Sequence, residues 1–507
     1  MTDQPAIESV PSEVAAVKPR VPIRLRLARR CERVRGEIVA LGLTLGLALC
    51  LVGAQVHLAP VYLLGWALLL VGSFARPRWG LLVLLGLVLL VSEERWQPFL
   101  LGGRSGAVPA TIYTIHVFGL KVQWALAGGV VAGAFLQTGA LHLRRNRAAL
   151  VSLCVFLAAD VWGEIWGRVA TGFGQQLFGQ WAVIAAPVLV AIAALALLDE
   201  DDVIAGLRIL LAVATARLIF GLVRYGVGGG VWDYELNRRI VFSDTADGFV
   251  SVLVTIGGLG LLLRAGPRWL ATRVTGALMV LAGLTALALS LRRQGLLALA
   301  VSAVVLTALI WRPRRRVVLI ASLAALAVLL AVGVGFAESS HSLLAARVRS
   351  MNPLDRASAS ATNAFHIEDI RDGVLQVAER PWTGWGFHTV VRRQSDYFLL
   401  LGSAADVVTA KHNMYLDVWL RMGVIGFVAL CAVLLVGCRD GLLARRRLPS
   451  VAPSILMALL AGYAVASLVM PMLNSNRLPY FLFMPVVALT VLRGGGRGSA
   501  EGSLGGE

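Results

Sequence analysis

The residues of this sequence best suited to chemistry are one histidine and a set of arginines placed where a membrane chain usually avoids them. His412 precedes Asn413 in Ala410-Lys411-His412-Asn413-Met414-Tyr415-Leu416-Asp417-Val418-Trp419-Leu420-Arg421, and Gly423 and Gly426 follow where an apolar run begins. An imidazole titrates near neutral pH, so it can accept a proton from a hydroxyl within hydrogen-bond reach. The plainer alternative is a loop histidine satisfied by its neighbours. Arg238 and Arg239, Arg292 and Arg293, and Arg371, Arg380, Arg392 and Arg393 all fall in loops on the same predicted side as His412. Planar guanidinium groups suit phosphate oxygens, and a cluster of them on that side fits an anionic, lipid-linked substrate. Taken pair by pair, the alternative is that these arginines snorkel to lipid headgroups.

These residues are carried by a scaffold that lipid must solvate. Of 507 residues, 58% are hydrophobic and 15% charged, and the mean hydropathy is +0.76, which defines a polytopic membrane protein rather than an aqueous domain. The net charge of +18 belongs in cytoplasmic loops near anionic lipid and does not indicate nucleic-acid binding. The five cysteines lie in apolar runs or positive flanks, where no disulfide is expected.

Apolar runs place spans near 38–56, 60–75, 79–92, 124–143, 148–163, 178–198, 203–223, 247–264, 275–290, 294–311, 317–336, 421–437, 451–470 and 478–492. The expected fold is an all-α bundle of about 12–14 transmembrane helices. Arg76 and Arg78, Arg144 to Arg147, Arg264 to Arg273, Arg312 to Arg316, Arg439 to Arg447, and Arg493 all fall on one side, which puts both chain ends inside. The organisation read from this is a basic cytoplasmic tail (1–36), a transmembrane bundle (37–336) with a short outer loop (224–246), a large, mainly helical extracytoplasmic loop (337–420), C-terminal spans (421–492) and a flexible cytoplasmic tail (493–507). Residues 107–123 read as an interfacial helix lying flat.

The inside run Asp199-Glu200-Asp201-Asp202 is either a divalent-ion site or, the reading preferred here, a set of caps for the helix that follows. Gly228-Gly229-Gly230 lacks the Lys and Ser or Thr of a phosphate loop and reads as a turn. No metal or cofactor is expected.

Several of these segments occur together in a known family. His412-Asn413-Met414-Tyr415-Leu416 followed by Gly423-Val424-Ile425-Gly426 resembles the end of the large outer loop in the O-antigen ligase and polymerase superfamily. Arg371 followed by Glu379-Arg380-Pro381-Trp382-Thr383-Gly384-Trp385-Gly386 is similar to its arginine and Pro-x-x-Gly-x-Gly segment. Ser290-Leu291-Arg292-Arg293-Gln294-Gly295 resembles its Ser-Arg-x-Gly turn, with Arg293 at the arginine position, and Asn237-Arg238-Arg239 through Gly248 resembles its first outer arginine loop. The turn has two arginines where the family usually has one, so either member of each pair can be the functional one.

The resemblance implies a glycosyltransferase of the bacterial cytoplasmic (inner) membrane, active at its outer face. The implied donor is an undecaprenyl diphosphate-linked glycan, and the acceptor is a hydroxyl of a glycan, lipid A core or protein. Within that expectation His412 is the base, Arg293 and Arg239 are the catalytic diphosphate clamp, and Arg238, Arg292, Arg371, Arg380 and Asn413 bind substrate. Acceptor recognition is expected in the long loop, with Arg347, Arg349, Arg356, His366, Arg392 and Arg393 as candidates. The competing class is a transporter or flippase of lipid-linked sugars, for which the midspan charges are Asp160, Arg208 and Arg217.

Overall fold

The computed structural model describes residues 23–56, 58–91, 116–117, 120–138, 146–171, 180–233, 238–242, 245–264, 270–290, 292–309, 361–387, 412–448, 450–470 and 475–494. In chain order the helices are α1 (Ile23–Gln55), α2 (Ala59–Ala75), α3 (Pro77–Leu90), α4 (Val122–Thr138), α5 (Arg147–Thr171), α6 (Gln180–Leu197), α7 (Glu200–Gly226), α8 (Thr245–Arg264), α9 (Leu270–Ser290), α10 (Arg293–Leu309), α11 (Ala361–Glu379), α12 (Met414–Arg447), α13 (Ala452–Ala466) and α14 (Leu478–Gly494). Among the described residues, seven helices are long and apolar enough to cross a membrane and six more are shorter apolar helices. The protein is an all-α, multi-pass membrane protein. The predicted span at 317–336 lies outside the described residues, as do the loop arginines Arg347, Arg349, Arg356, Arg392 and Arg393 and the side chain of His366.

Helices form here because a lipid-embedded chain must satisfy its backbone hydrogen bonds within each segment. The helices divide their side chains between a shared core and the bilayer. Leu69, Leu84, Phe156, Val188, Phe249, Tyr463 and Phe483 are buried, whereas Leu41, Val71, Leu136, Val304 and Leu435 are exposed large hydrophobics. In water the second set would be a liability, whereas in a bilayer it is the solvated face.

Two elements depart from the sequence reading. Of the predicted flat helix at 107–123, the described residues before α4 are two short strands, β1 (His116–Val117) paired antiparallel to β2 (Leu120–Lys121). A second hairpin joins α7 to α8, pairing β3 (Val231–Asp233) with β4 (Arg238–Ile240) and setting Trp232 opposite Arg239 and Asp233 opposite Arg238.

One end of the bundle is a ring of ion pairs. The Asp199 side chain accepts from the Asp202 amide at 2.9 Å while Asp202 accepts from the Asp199 amide at 3.2 Å, a capping box that accounts for the acidic run as a helix start. Arg78 reaches Asp202 at 3.0 Å, Arg447 reaches Glu200 at 2.7 Å, and Arg493 reaches Asp440 at 3.1 Å. Apart from Asp440, buried two turns inside α12, these groups sit at helix ends predicted to face the cytoplasm.

At the other end α12 is broken. Gly423 has φ +69° and interrupts the helical backbone between Met414 and Arg447. The kink leaves the Leu420 and Arg421 carbonyls to accept amides from another segment: Trp385 N–H donates to Leu420 O at 2.6 Å and Gly386 N–H to Arg421 O at 3.1 Å. In return, Val424 N–H donates to Pro381 O at 3.0 Å, and Phe387 N–H donates to Gly163 O of α5 at 2.9 Å. Gly386 adopts φ +82° to make this path. Residues 381–387 thus strap α11 to α12 and α5.

A side chain at Gly423 would collide with the Trp382 carbonyl and occupy a left-handed backbone conformation. Gly423→Val is therefore expected to cost about 1–3 kcal/mol, read as a lower unfolding midpoint of the purified protein in detergent; an unchanged midpoint would show that the strap does not depend on the kink.

Candidate active site

The strap brings a carboxylate to the histidine. Asp369 of α11 is 1% exposed, and its Oδ2 accepts the His412 backbone N–H at 2.9 Å and lies 3.0 Å from His412 Nδ1. The imidazole side chain remains 33% exposed. An Nδ1–H held by that carboxylate puts the ring's lone pair on Nε2, the form required of a proton acceptor. Asn413 caps α12, its Oδ1 accepting the Leu416 amide at 3.0 Å. This fixes the backbone one residue after the imidazole.

Asp369 belongs to a buried polar stripe on α11. Asp372 and Gln376 are also buried; Gln376 Nε2 donates to Asp372 Oδ2 at 2.8 Å, and the Gln376 carbonyl accepts Trp385 Nε1–H at 2.9 Å. The first turns of α12 pack on the same strap. Trp419 Nε1–H donates to Pro381 O at 2.8 Å, and its ring stacks on Phe427 with centroids 4.8 Å apart. Arg421 pairs with Asp417 at 2.9 Å and lies 5.4 Å from the centroid of Phe387. The Met414 to Leu420 face is accordingly a packing surface.

A second cluster, missed in the sequence, is built on Asp247 in the first turn of α8. Its Oδ1 accepts from Arg217 Nη2 of α7 at 2.6 Å and from Arg477 Nη2, just before α14, at 3.0 Å. Arg477 also donates through Nε to Val88 O at 2.7 Å, and Arg217 donates to Leu90 O, both at the end of α3. Two guanidiniums thus share one carboxylate oxygen, and all three side chains are almost fully buried. Arg217, a midspan charge in the sequence, is tied to this end of the bundle. Arg208 is exposed on α7, and Asp160 is fully buried within α5.

Contacts through α13 connect the two clusters to one end of the bundle. Tyr415 Oη donates to Ala464 O at 2.8 Å, and Tyr463 Oη donates to Phe249 O, two residues from Asp247, at 3.1 Å. Arg292 lies beside the same turn, since a Cβ on Gly248 would stand 3.5 Å from the Arg292 Cβ. The Arg292 Nε is buried and has no hydrogen-bond partner among the described residues. Arg293 opens α10, with its side chain outside the described set.

Among the other predicted arginines, Arg239, Arg380 and Arg371 make local contacts, and the Arg238 side chain lies outside the described set. Arg239 is exposed and donates to the Gly228 carbonyl within its hairpin, and Arg238 stands opposite Asp233. This hairpin is tied to the end of α9 by Val241 N–H donating to Leu289 O at 3.5 Å, which brings it toward Arg292. Arg380 stacks on Trp385, 4.1 Å from the ring centroid. Arg371 is 67% exposed and 3.8 Å from Glu368; it is on the exposed face of α11 while Asp369 is on the buried one.

The fold and these two clusters define a membrane protein with a polar, ionisable site at one end of a helical bundle. A family model described as O-antigen ligase matches residues 277–431, from α9 into α12. Over that stretch the chain is similar to the O-antigen ligases, a family made up of ligases and polymerases and hence of glycosyltransferases. The matched stretch holds Arg292, Arg293, Asp369 and His412 and leaves out the hairpin with Arg238 and Arg239. No curated protein matches the chain.

Removing Asp247 would leave two buried guanidiniums without their shared carboxylate. Asp247→Leu is expected to destabilise the protein by about 3–5 kcal/mol, measured as loss of folded, monodisperse protein on heating in detergent. A variant as stable as the parent would contradict the pairing.

Proposed function

We propose that the protein transfers a glycan from an undecaprenyl diphosphate-linked donor to an acceptor hydroxyl at the outer face of the cytoplasmic membrane. The observation that carries this reading is the buried Asp369 carboxylate on His412 Nδ1, at the same end of the bundle as Arg292. The match to O-antigen ligases supplies the reaction class.

In the proposed step, His412 Nε2 takes the acceptor hydroxyl proton as that oxygen bonds to the anomeric carbon. The bond from that carbon to the diphosphate oxygen breaks, and the electron pair leaves with the diphosphate. Direct displacement inverts the anomeric centre. Charge develops on the leaving oxygen, and the guanidiniums of Arg292, Arg293 and Arg239 supply the compensating field in a site of low dielectric. Asp369 holds the imidazole in the accepting tautomer and stabilises the imidazolium that forms.

His412→Ala is expected to lower transfer in membranes by about 10²–10⁴-fold with protein level unchanged. Asp369→Asn should lower it less and chiefly in kcat; undiminished transfer in His412→Ala would remove the assignment. Arg292→Lys keeps the charge but loses the planar fork, so donor KM should rise while acceptor KM holds. A parallel assay in EDTA separates an arginine-borne leaving group from one that needs a divalent ion: the arginine reading requires an unchanged rate.

A further inference from the structure

A cavity of about 740 Å³ lies between α3, α7, α13 and α14 and runs along α3 from Arg76 to Leu89. At 1.5 Å per residue, the stretch from Arg78 to Leu89 is about 16 Å long, close to the roughly 15 Å of hydrocarbon in one leaflet. Its walls are apolar, with Leu81, Leu85, Leu210, Leu459, Phe481 and Met484 among them. Tyr463 and Tyr480 seal the far end at 1% and 3% exposure, beneath the α3 carbonyls that hold Arg477. The near end is open and charged. Trp79 is 50% exposed and the Arg78 side chain 54%, and the Arg76 Nε is buried without a hydrogen-bond partner among the described residues. Asp202 also lines this mouth, and Arg78 pairs with it at 3.0 Å and with Asp199 at 3.7 Å.

We propose that this cavity binds an anionic glycerophospholipid of the cytoplasmic leaflet, its phosphate on Arg76 and Arg78 and one acyl chain along α3. The unpartnered Arg76 Nε and the exposed Arg78 select the occupant, since guanidinium groups prefer phosphate, and apart from Gln137 and the two tyrosines the walls between the ends are apolar. An apolar void next to lipid is otherwise filled poorly, because interiors pack to the density of organic crystals. A donor tail fits less well. The arginine mouth lies at the opposite end of the bundle from His412 and Arg292, so a diphosphate held there would be remote from the imidazole. The proposal does not rest on glycosyl transfer.

The chamber can be blocked selectively. Gly206 lines it, and a Cβ added there meets nothing within 4 Å, so a larger side chain grows into empty space. The test reconstitutes the full chain in nanodiscs of equal parts phosphatidylglycerol and phosphatidylcholine, re-extracts it in mild detergent, and quantifies retained lipid by mass spectrometry. The parent should keep about one phosphatidylglycerol per chain. Gly206→Trp, or Gly206→Leu if the larger residue folds poorly, should lose it by about tenfold or more. Arg76→Gln with Arg78→Gln should keep a lipid but lose about fivefold of the preference for phosphatidylglycerol. The site is overturned by a parent that retains neither lipid, by equal retention in the blocked variants, by an undiminished preference in the arginine variant, or by recovery of a polyprenyl phosphate in the lipid's place.

Discussion

The site depends on one exchange of backbone hydrogen bonds. Where Gly423 breaks α12, the Leu420 and Arg421 carbonyls lose their helical register, and in a bilayer such groups must find donors. The strap supplies the Trp385 and Gly386 amides and returns the Pro381 carbonyl to Val424. That reciprocity is why a loop helix far upstream in sequence sits against the start of a membrane helix. It holds Asp369 on His412.

The two ends of the bundle solve different electrostatic problems. At the arginine-rich end, Arg78 and Arg447 meet acids at partly exposed helix termini, where each pair contributes little and water shares the cost, while Arg493 reaches the buried Asp440 carboxylate. At the site end, Arg217, Arg477 and Asp247 are nearly inaccessible. Burying three charges is tolerable because each guanidinium also donates to carbonyls at the end of α3. This buried group gives the start of α8 a rigid, positively charged surround, and Arg292 rests on the adjacent turn.

Much of the architecture was legible because lipid leaves a simple trace: apolar runs of the right length, with arginines at alternate ends. The cap at Asp199 was legible too, since acids in a first turn have a local cause. The hairpin at 116–121 was not, because a short run of β-branched and apolar residues suits a flat helix or a strand, and only pairing decides. His412 and the arginine pairs stood out as ionisable groups beside apolar runs. Asp369 did not, because Glu368-Asp369-Ile370-Arg371-Asp372 reads as a solvated face until packing turns Asp369 and Asp372 inward. Their spacing with Gln376, every three or four residues, was the available signal. The Asp247 to Arg477 pair joins residues 230 positions apart, a relation with no local pattern, although Arg477 was one more arginine at a helix end predicted to face outward.

The claim that guanidiniums and an imidazole from distant segments converge on one phosphorylated carrier is tested most directly by a structure of the full chain with undecaprenyl diphosphate bound. The account predicts phosphate oxygens within about 3 Å of the Arg292 guanidinium, with the glycan-bearing end turned toward His412. A diphosphate seated at the opposite end of the bundle, or at this end but turned away from both side chains, would contradict it.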